Sequence, residues 1–294
     1  MEIIDVHLHF FENFNAENGP MRQQVKRMME ENNVVMAIAM GSGRPQYQEN
    51  PPRVIPPLLP HMDAPLDLAQ YNFLPNTAYC AGINPHGLCD ANRKATQEAF
   101  ARALSTPHCV GLKIYAGYQY FYVDDPIYYP FYELAEQFHV PVVIHTGDTA
   151  NPTALLKYSH PLTVDAVAVN FPRVQFVMAH YGNPFIVEAT EVAKKNPNVA
   201  IDLSGMAVGD IEPDAFFARY GGYVQHLRTW MAYLDSYEKL LYGTDWPLAD
   251  MGSYLRLMQA IVPEAHHQEV FHDNALRIFQ KLNGLLPSSS STAL

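Results

Sequence analysis

Several side chains in this sequence have the types and the spacing for metal-ion or proton-transfer chemistry. His7 and His9 stand in the run Asp5-Val6-His7-Leu8-His9, near the start of the chain. Side chains alternate across a β-strand, so residues two apart share a face with Cα atoms roughly 6–7 Å apart. Two imidazoles at that spacing can converge on one metal ion at Zn–N distances of about 2.0–2.1 Å. Regular alternation sends Ile4, Val6, Leu8 and Phe10 the other way and places Asp5 on the histidines' face. His145 closes VPVVIH, His180 closes VQFVMAH and Asp245 closes LLYGTD. Taken singly, each would pass as a satisfied core histidine or a helix-capping aspartate. Four apolar runs that end in the order HxH, H, H, D are hard to explain by core packing.

Lys113 lies in GLKIY, where Leu112 and Ile114 alternate with it. If those two face a helical layer, Lys113 points to the interior, where an ammonium group is costly unless it is neutralised or paired. It could receive a substrate carboxylate or form a structural ion pair, for instance with Asp5. Tyr115, Tyr118, Tyr120, Phe121 and Tyr122 follow closely. They suit a planar or partly apolar substrate, and a rigid loop packed on the rim would use them equally well. Trp246 beside Asp245 can shape a pocket floor or simply pack. The remaining histidines lack strand-end placement and read as surface or structural. No GxGxxG, P-loop or GxSxG pattern is present.

These side chains need a scaffold that brings distant strand ends together. Short β-branched runs alternate with amphipathic stretches, the pattern of βα units around a parallel sheet. Strands are expected over 3–9, 34–40, 77–84, 110–115, 140–145, 174–180, 199–204 and 240–245. Helices are expected over 20–31, 92–104, 127–138, 184–195, 213–233 and 252–261. Eight such units make a (β/α)₈ barrel, a TIM barrel, whose active-site residues gather at the carboxyl ends of the strands. A final helix over 263–283 extends the barrel at its C-terminus, and 1–286 reads as a single domain with a frayed serine-rich tail over 287–294. The proline-rich segment 41–75 follows strand two, so it belongs at the barrel mouth. Connections of that length are usually functional or mobile, and a plain surface insertion fits as well.

Composition narrows the classes. The 294 residues are 48% hydrophobic and 17% charged, enough to bury a large core. A formal net charge of −11 argues against a nucleic-acid partner, which needs clustered lysine and arginine. Three cysteines without CxxC spacing suggest reduced thiols. The opening MEIIDVHLHF lacks a basic n-region and a long apolar core, and no run approaches the ~20 apolar residues of a membrane span. A cytoplasmic protein without a membrane partner is the expectation, with homo-oligomerisation left open.

The set IDVHLHF, IHTGD, VMAHYGNP and YGTDWP resembles the amidohydrolase superfamily over essentially the whole chain, through DNALRIF near the end. More narrowly it is similar to the amidohydrolase-related branch that includes aminocarboxymuconate semialdehyde decarboxylase-like enzymes and metal-dependent hydrolases. The resemblance implies that His7, His9, His145 and Asp245 ligate one divalent metal, most often zinc. His180 would sit beside a water whose pKa the metal lowers toward roughly 7. His180 and Asp245 are then the catalytic proton carriers, and Lys113 and Tyr115 the substrate-binding residues. In binuclear members such as dihydroorotases, a strand-four lysine is carboxylated and bridges two metals, so Lys113 brings a second metal into question; a mononuclear site with Lys113 facing substrate is the preferred reading. Barrel nucleases also begin with HxH, yet they carry glutamate where this chain has Lys113. The expected activity is hydrolysis of an amide, lactone or related ester in a small-molecule substrate. The alternative is non-oxidative decarboxylation of a carboxylated aromatic or muconate-like acid. A non-catalytic module with an idle site would have lost ligands, and none is missing.

Overall fold

The structure, a computed structural model, describes residues 1–9, 20–41, 74, 76–85 and 88–286. Most of the proline-rich segment 41–75, the tail 287–294 and Phe10 lie outside the described residues.

Eight strands pair in parallel in chain order: β1 (Ile3–Leu8), β2 (Val34–Met40), β3 (Thr77–Ile83), β4 (Cys109–Ile114), β5 (Val142–His145), β6 (Phe176–Ala179), β7 (Val199–Asp202) and β8 (Leu240–Leu241). Backbone bonds between β1 and the residues after β8 close the circle. Val6 N–H donates to the Tyr242 carbonyl at 2.9 Å, Asp245 N–H to His7 at 2.8 Å and His9 N–H to Trp246 at 2.8 Å. The helices are α1 (Pro20–Glu31), α2 (Asp90–Leu104), α3 (Tyr129–Phe138), α4 (Leu156–Ser159), α5 (Leu162–Asn170), α6 (Ile186–Lys195), α7 (Pro213–Leu234), α8 (Met251–Ile261) and α9 (Asn274–Ile278). The fold is the expected (β/α)₈ barrel.

Strand periodicity separates two cores. Met36, Ile38 and Met40 on β2 meet Val143, Val177, Ala179, Ala200 and Leu241 in the lumen. The alternate positions, among them Ala37, Leu112, Ile114, Ile144, Met178 and Ile201, pack on the helices. Strand runs of this kind are apolar on both faces because both faces are covered. All three cysteines are free.

Six strands stop before the expected residue, β1, β3 and β4 by one residue each. β6 ends at Ala179 because His180 has φ +64°, and β8 ends at Leu241, four residues before Asp245 with φ +60°. Left-handed backbone cannot continue a β ladder. β7 ends at Asp202. The expected helix over 263–283 is instead broken into a 3₁₀ turn (Glu264–His266), a π-helical turn (Glu269–Asp273), α9 and a second 3₁₀ turn (Gln280–Gly284). The breaks let Ala275, Ile278, Phe279 and Leu282 enter the lumen's amino-terminal end. Lys281 holds them there, donating to the carbonyls of Leu104, Thr106 and Cys109 at 2.8, 2.5 and 2.6 Å. The candidate side chains lie at the opposite end, where the strands finish.

Candidate metal centre

The centre starts from an irregularity in β1. Asp5 pairs with Ala37 and Leu8 with Ala39, so β1 takes three steps where β2 takes two. Such a bulge re-aims side chains, and bulges are common at barrel rims next to active sites. Ile4 and Val6 therefore pack in the lumen and not against the helices, while Leu8 joins the outer core. Asp5 does not share the histidines' face as regular alternation predicts. It turns to the β1–β8 seam, where its carboxylate accepts from His7 N–H at 3.0 Å, Thr244 N–H at 3.1 Å and the Thr244 hydroxyl at 2.6 Å.

His7 and His9 do converge beyond the bulge, their ring centroids 5.2 Å apart. Asp245 meets them from the other side of the seam. Its Oδ1 is 3.0 Å from His9 Nε2 and 3.6 Å from His7 Nε2, and one ligand atom from each of the three residues lies within 4.8 Å of the others. His180 packs against both His7 and His145, at 4.8 Å between centroids in each case. His145 stands outside the group of three. Its Nε2–H donates to the Asp148 carbonyl at 2.9 Å, which leaves Nδ1 as the nitrogen available to a cation.

Two atoms at the point of convergence, His7 Nε2 and Asp245 Oδ1, are buried without a well-directed hydrogen bond, although His9 Nε2 lies 3.0 Å from Oδ1. A buried polar atom left unsatisfied costs about 1–3 kcal/mol. A cation between them would satisfy both, and the donor set of imidazole nitrogens and one carboxylate suits a divalent transition metal.

The electrostatics keep these donors in ligand form. Burial, then the charge of Lys113, holds His7 well below the ordinary histidine value and brings His145 to about 3. His180 is also held well below it, by burial and then by His145 and His7. Neutral imidazoles are the form a metal binds. Burial would raise Asp245, but contact with His9 and the neighbouring positive groups outweigh it and set the carboxyl at about 2.

Lys113 faces the lumen, with Leu112 and Ile114 directed to the helices. It is fully buried, and its Nζ has no hydrogen-bond partner. The ion pair with Asp5 does not form, since both Asp5 oxygens are bonded across the seam. Burial pulls Lys113 below the usual lysine range, while Asp202 and Asp245 pull it back. The Nζ lies 5.1 Å from the centroid of the Tyr115 ring, whose half-buried side chain is 6.5 Å from His9 between centroids. Tyr118 continues this wall, 5.0 Å from His145. Tyr120 and Tyr122 instead pack on Tyr158 at the rim.

Two residues at the centre have no counterpart in the sequence reading. Asp202 on β7 accepts from His7 Nδ1–H at 2.5 Å, and the Ser204 hydroxyl lies 3.0 Å from His180 Nδ1. Burial raises Asp202 above the usual carboxylate range, against the opposing effects of the Ser204 N–H and Lys113. The signal was present in the run VAIDLS: Ala200, Asp202 and Ser204 alternate as His7 and His9 do. Glycines make the approach feasible. A Cβ at Gly243 would fall 2.8 Å from both Asp202 Oδ1 and His7 Cβ, and one at Gly205 would fall 2.9 Å from His180 Nδ1.

A family model described as Amidohydrolase matches residues 4–281. Among solved structures, a 2,6-dihydroxybenzoate decarboxylase from Rhizobium superposes with a TM-score of 0.66 at 16% identity, covering 97% of this chain and 100% of that one. A probable 2-pyrone-4,6-dicarboxylic acid hydrolase from Acinetobacter baumannii, with citric acid bound, gives 0.62 at 14% identity over 95% and 100%. A 5-carboxyvanillate decarboxylase from Novosphingobium aromaticivorans, complexed with manganese, gives 0.60 at 11% over 95% and 96%. At such identities the likeness is one of fold. No curated protein matches the chain in sequence.

Proposed function

The chain belongs to the amidohydrolase family, and from that premise we propose that it is a divalent-metal hydrolase acting on an amide, lactone or ester bond of a small carboxylated substrate. The observation that carries this reading is the pair of buried atoms without a well-directed hydrogen bond, His7 Nε2 and Asp245 Oδ1, directed at one point where the strands finish. His7, His9 and Asp245 would hold the ion, with His145 Nδ1 as a further donor. When bound, the ion, which we take to be zinc, supplies a Lewis acid and a water of lowered pKa.

The protein's own groups do the rest. His180, neutral and anchored at Nδ1 by Ser204, takes or gives a proton at Nε2. Asp245 can share that work on its unbonded side. Tyr115 and Tyr118, their rings edge-to-face at 77°, offer an aromatic wall to a partly apolar substrate, and Lys113 beneath them supplies positive potential without exposed surface of its own.

A second reading, decarboxylation of a carboxylated aromatic acid, is favoured by that same wall and by the decarboxylases among the structural neighbours. Both reactions use one set of residues. Zinc-loaded protein assayed against lactone, amide and hydroxybenzoate panels separates them: ring opening or amide cleavage is expected, and carbon dioxide release with no hydrolysis overturns the hydrolase reading. His7→Ala and Asp245→Ala are expected to lose metal and turnover together, whereas His180→Ala keeps most of its metal and loses turnover. Metal content measured on each variant decides; a metal-free His180→Ala protein refutes the division of roles.

A further inference from the structure

We propose that β7 is the positioning strand of this centre, with Asp202 fixing His7 in one tautomer and Ser204 holding His180 through both of its tautomers. The inference rests on the metal-site reading above and assigns roles to two residues that reading does not use.

Asp202 is fully buried and both its oxygens are engaged. Oδ2 accepts from His7 Nδ1–H at 2.5 Å, and Oδ1 accepts from the Ser204 N–H at 2.8 Å. In its ionised form, which the Ser204 N–H on Oδ1 and the Lys113 charge favour against burial, the Asp202 carboxylate can only accept. The proton of His7 therefore stays on Nδ1, and its lone pair stays on Nε2, the atom left without a partner 3.6 Å from Asp245. A metal ligand needs this one-way arrangement, because the other tautomer would direct an N–H at the cation.

Ser204 differs in kind. Its hydroxyl has one proton to donate and lone pairs to accept with, so it can bond His180 Nδ1 whether or not that nitrogen carries hydrogen. The His180 ring therefore stays anchored in either tautomer. A group that moves protons needs this two-way support. β7 and the turn that follows it thus give an acceptor-only partner to one imidazole and an ambivalent partner to the other.

The local backbone is shaped around these contacts. Gly243 has no Cβ where one would strike Asp202 Oδ1 and His7 Cβ, each at 2.8 Å. Gly205, at φ +68°, has none where one would lie 2.9 Å from His180 Nδ1 and 3.4 Å from Asp245 Oδ2. His180 itself adopts φ +64°, a conformation uncommon outside glycine that sites retain when the surroundings enforce it.

The test uses the full chain with Asp202→Ala, Asp202→Asn, Ser204→Ala and Ser204→Thr. Zinc affinity is read by competition with a chromophoric chelator, and imidazole tautomers by ¹⁵N NMR of the metal-free proteins. Asp202→Ala is expected to weaken zinc by roughly 10–100-fold and to release His7 into mixed tautomers, while Asp202→Asn, which keeps an acceptor, recovers part of both. Ser204→Ala should leave zinc affinity within about twofold and change only the His180 signals, with Ser204→Thr restoring them. Unchanged zinc affinity and unchanged His7 signals in Asp202→Ala overturn the proposal. Should Asp202→Ala fail to fold, the His7 signals of Asp202→Asn and the His180 signals of Ser204→Ala decide it. If the wild-type protein takes up no zinc, the metal-site reading fails alone, and the metal-free NMR signals still judge the positioning claim.

Discussion

Replacing His145 by Asn isolates one buried imidazole and tests whether the centre keeps its ligands neutral. Asn is too short to reach the Asp148 carbonyl that His145 Nε2 bonds at 2.9 Å, so the lost contact enters equally at every pH and the change in the difference between two pH values reports the titrating group. In the folded protein His145 takes its proton only near pH 3, because of burial and then the charge of Lys113. In the unfolded chain it does so near about 6.5. The folded value is depressed, so the unfolded state binds more protons as the pH falls below about 6.5, and stability present at neutral pH is lost on the way to 3. A shift of that size amounts to about 5 kcal/mol in full, at roughly 1.4 kcal/mol per pH unit. Between about pH 7.5 and about pH 5.5, where denaturation is easily followed, the loss is roughly 1.4 kcal/mol. Urea unfolding of chelator-treated wild-type and His145→Asn proteins at both values should show the difference in unfolding free energy moving by that amount against the wild type. A difference that stays constant, or moves the other way, would mean that His145 accepts a proton in the fold, and the account of a neutral ligand set would be wrong.

Gly243→Ala places a Cβ 2.8 Å from Asp202 Oδ1 and His7 Cβ, so it should cost about 1–3 kcal/mol in urea unfolding and weaken metal binding in the same protein. Asp5→Ala strands the buried N–H groups of His7 and Thr244 and the Thr244 hydroxyl; a loss of about 3 kcal/mol is expected, with Asp5→Asn intermediate. Removing metal from loaded protein should lower the melting temperature and increase amide hydrogen exchange first in β1 and in the residues that follow β8. Exchange that rises evenly around the barrel would contradict that order.

Much of the scaffold was legible because its physics is periodic. Apolar runs of strand length, set between amphipathic stretches, specify eight buried parallel strands, and alternation alone placed Lys113 inward between Leu112 and Ile114. The strand-end rule brought His7, His9, His180 and Asp245 into one neighbourhood, with His145 against His180. What escaped was local departure from period two. The extra residue in β1 has no signature in IDVHLH, since nothing in those residue types distinguishes a bulge from a straight strand, and it reversed the expected sides of Ile4, Val6 and Asp5. The positive φ of His180 and Asp245 is enforced by tertiary contacts and cannot be read from a propensity. Asp202 and Ser204 were legible by the rule used for His7 and His9. An aspartate and a serine at a strand end also look like ordinary caps, because the partner imidazoles come from other strands. The fragmentation of the C-terminal helix likewise follows from its fit into the lumen, which local sequence does not encode.

The seam between β8 and β1 connects these observations. β8 has only two ladder residues, so Asp245 cannot be placed by regular pairing with β7. It is held by its own N–H on the His7 carbonyl, and the adjacent Thr244 is held by Asp5, which also caps His7 N–H. The bonds that close the barrel are therefore the bonds that set His7 against Asp245. An ion coordinated by these residues from both sides of the seam would reinforce its weakest join, and any ligand that binds only the folded state stabilises it, by about 4 kcal/mol at a thousandfold excess over Kd. Barrel closure and metal affinity should accordingly rise and fall together in seam variants such as Asp5→Ala, whereas β7 variants, which leave the seam's hydrogen bonds in place, should change metal affinity with much less effect on closure.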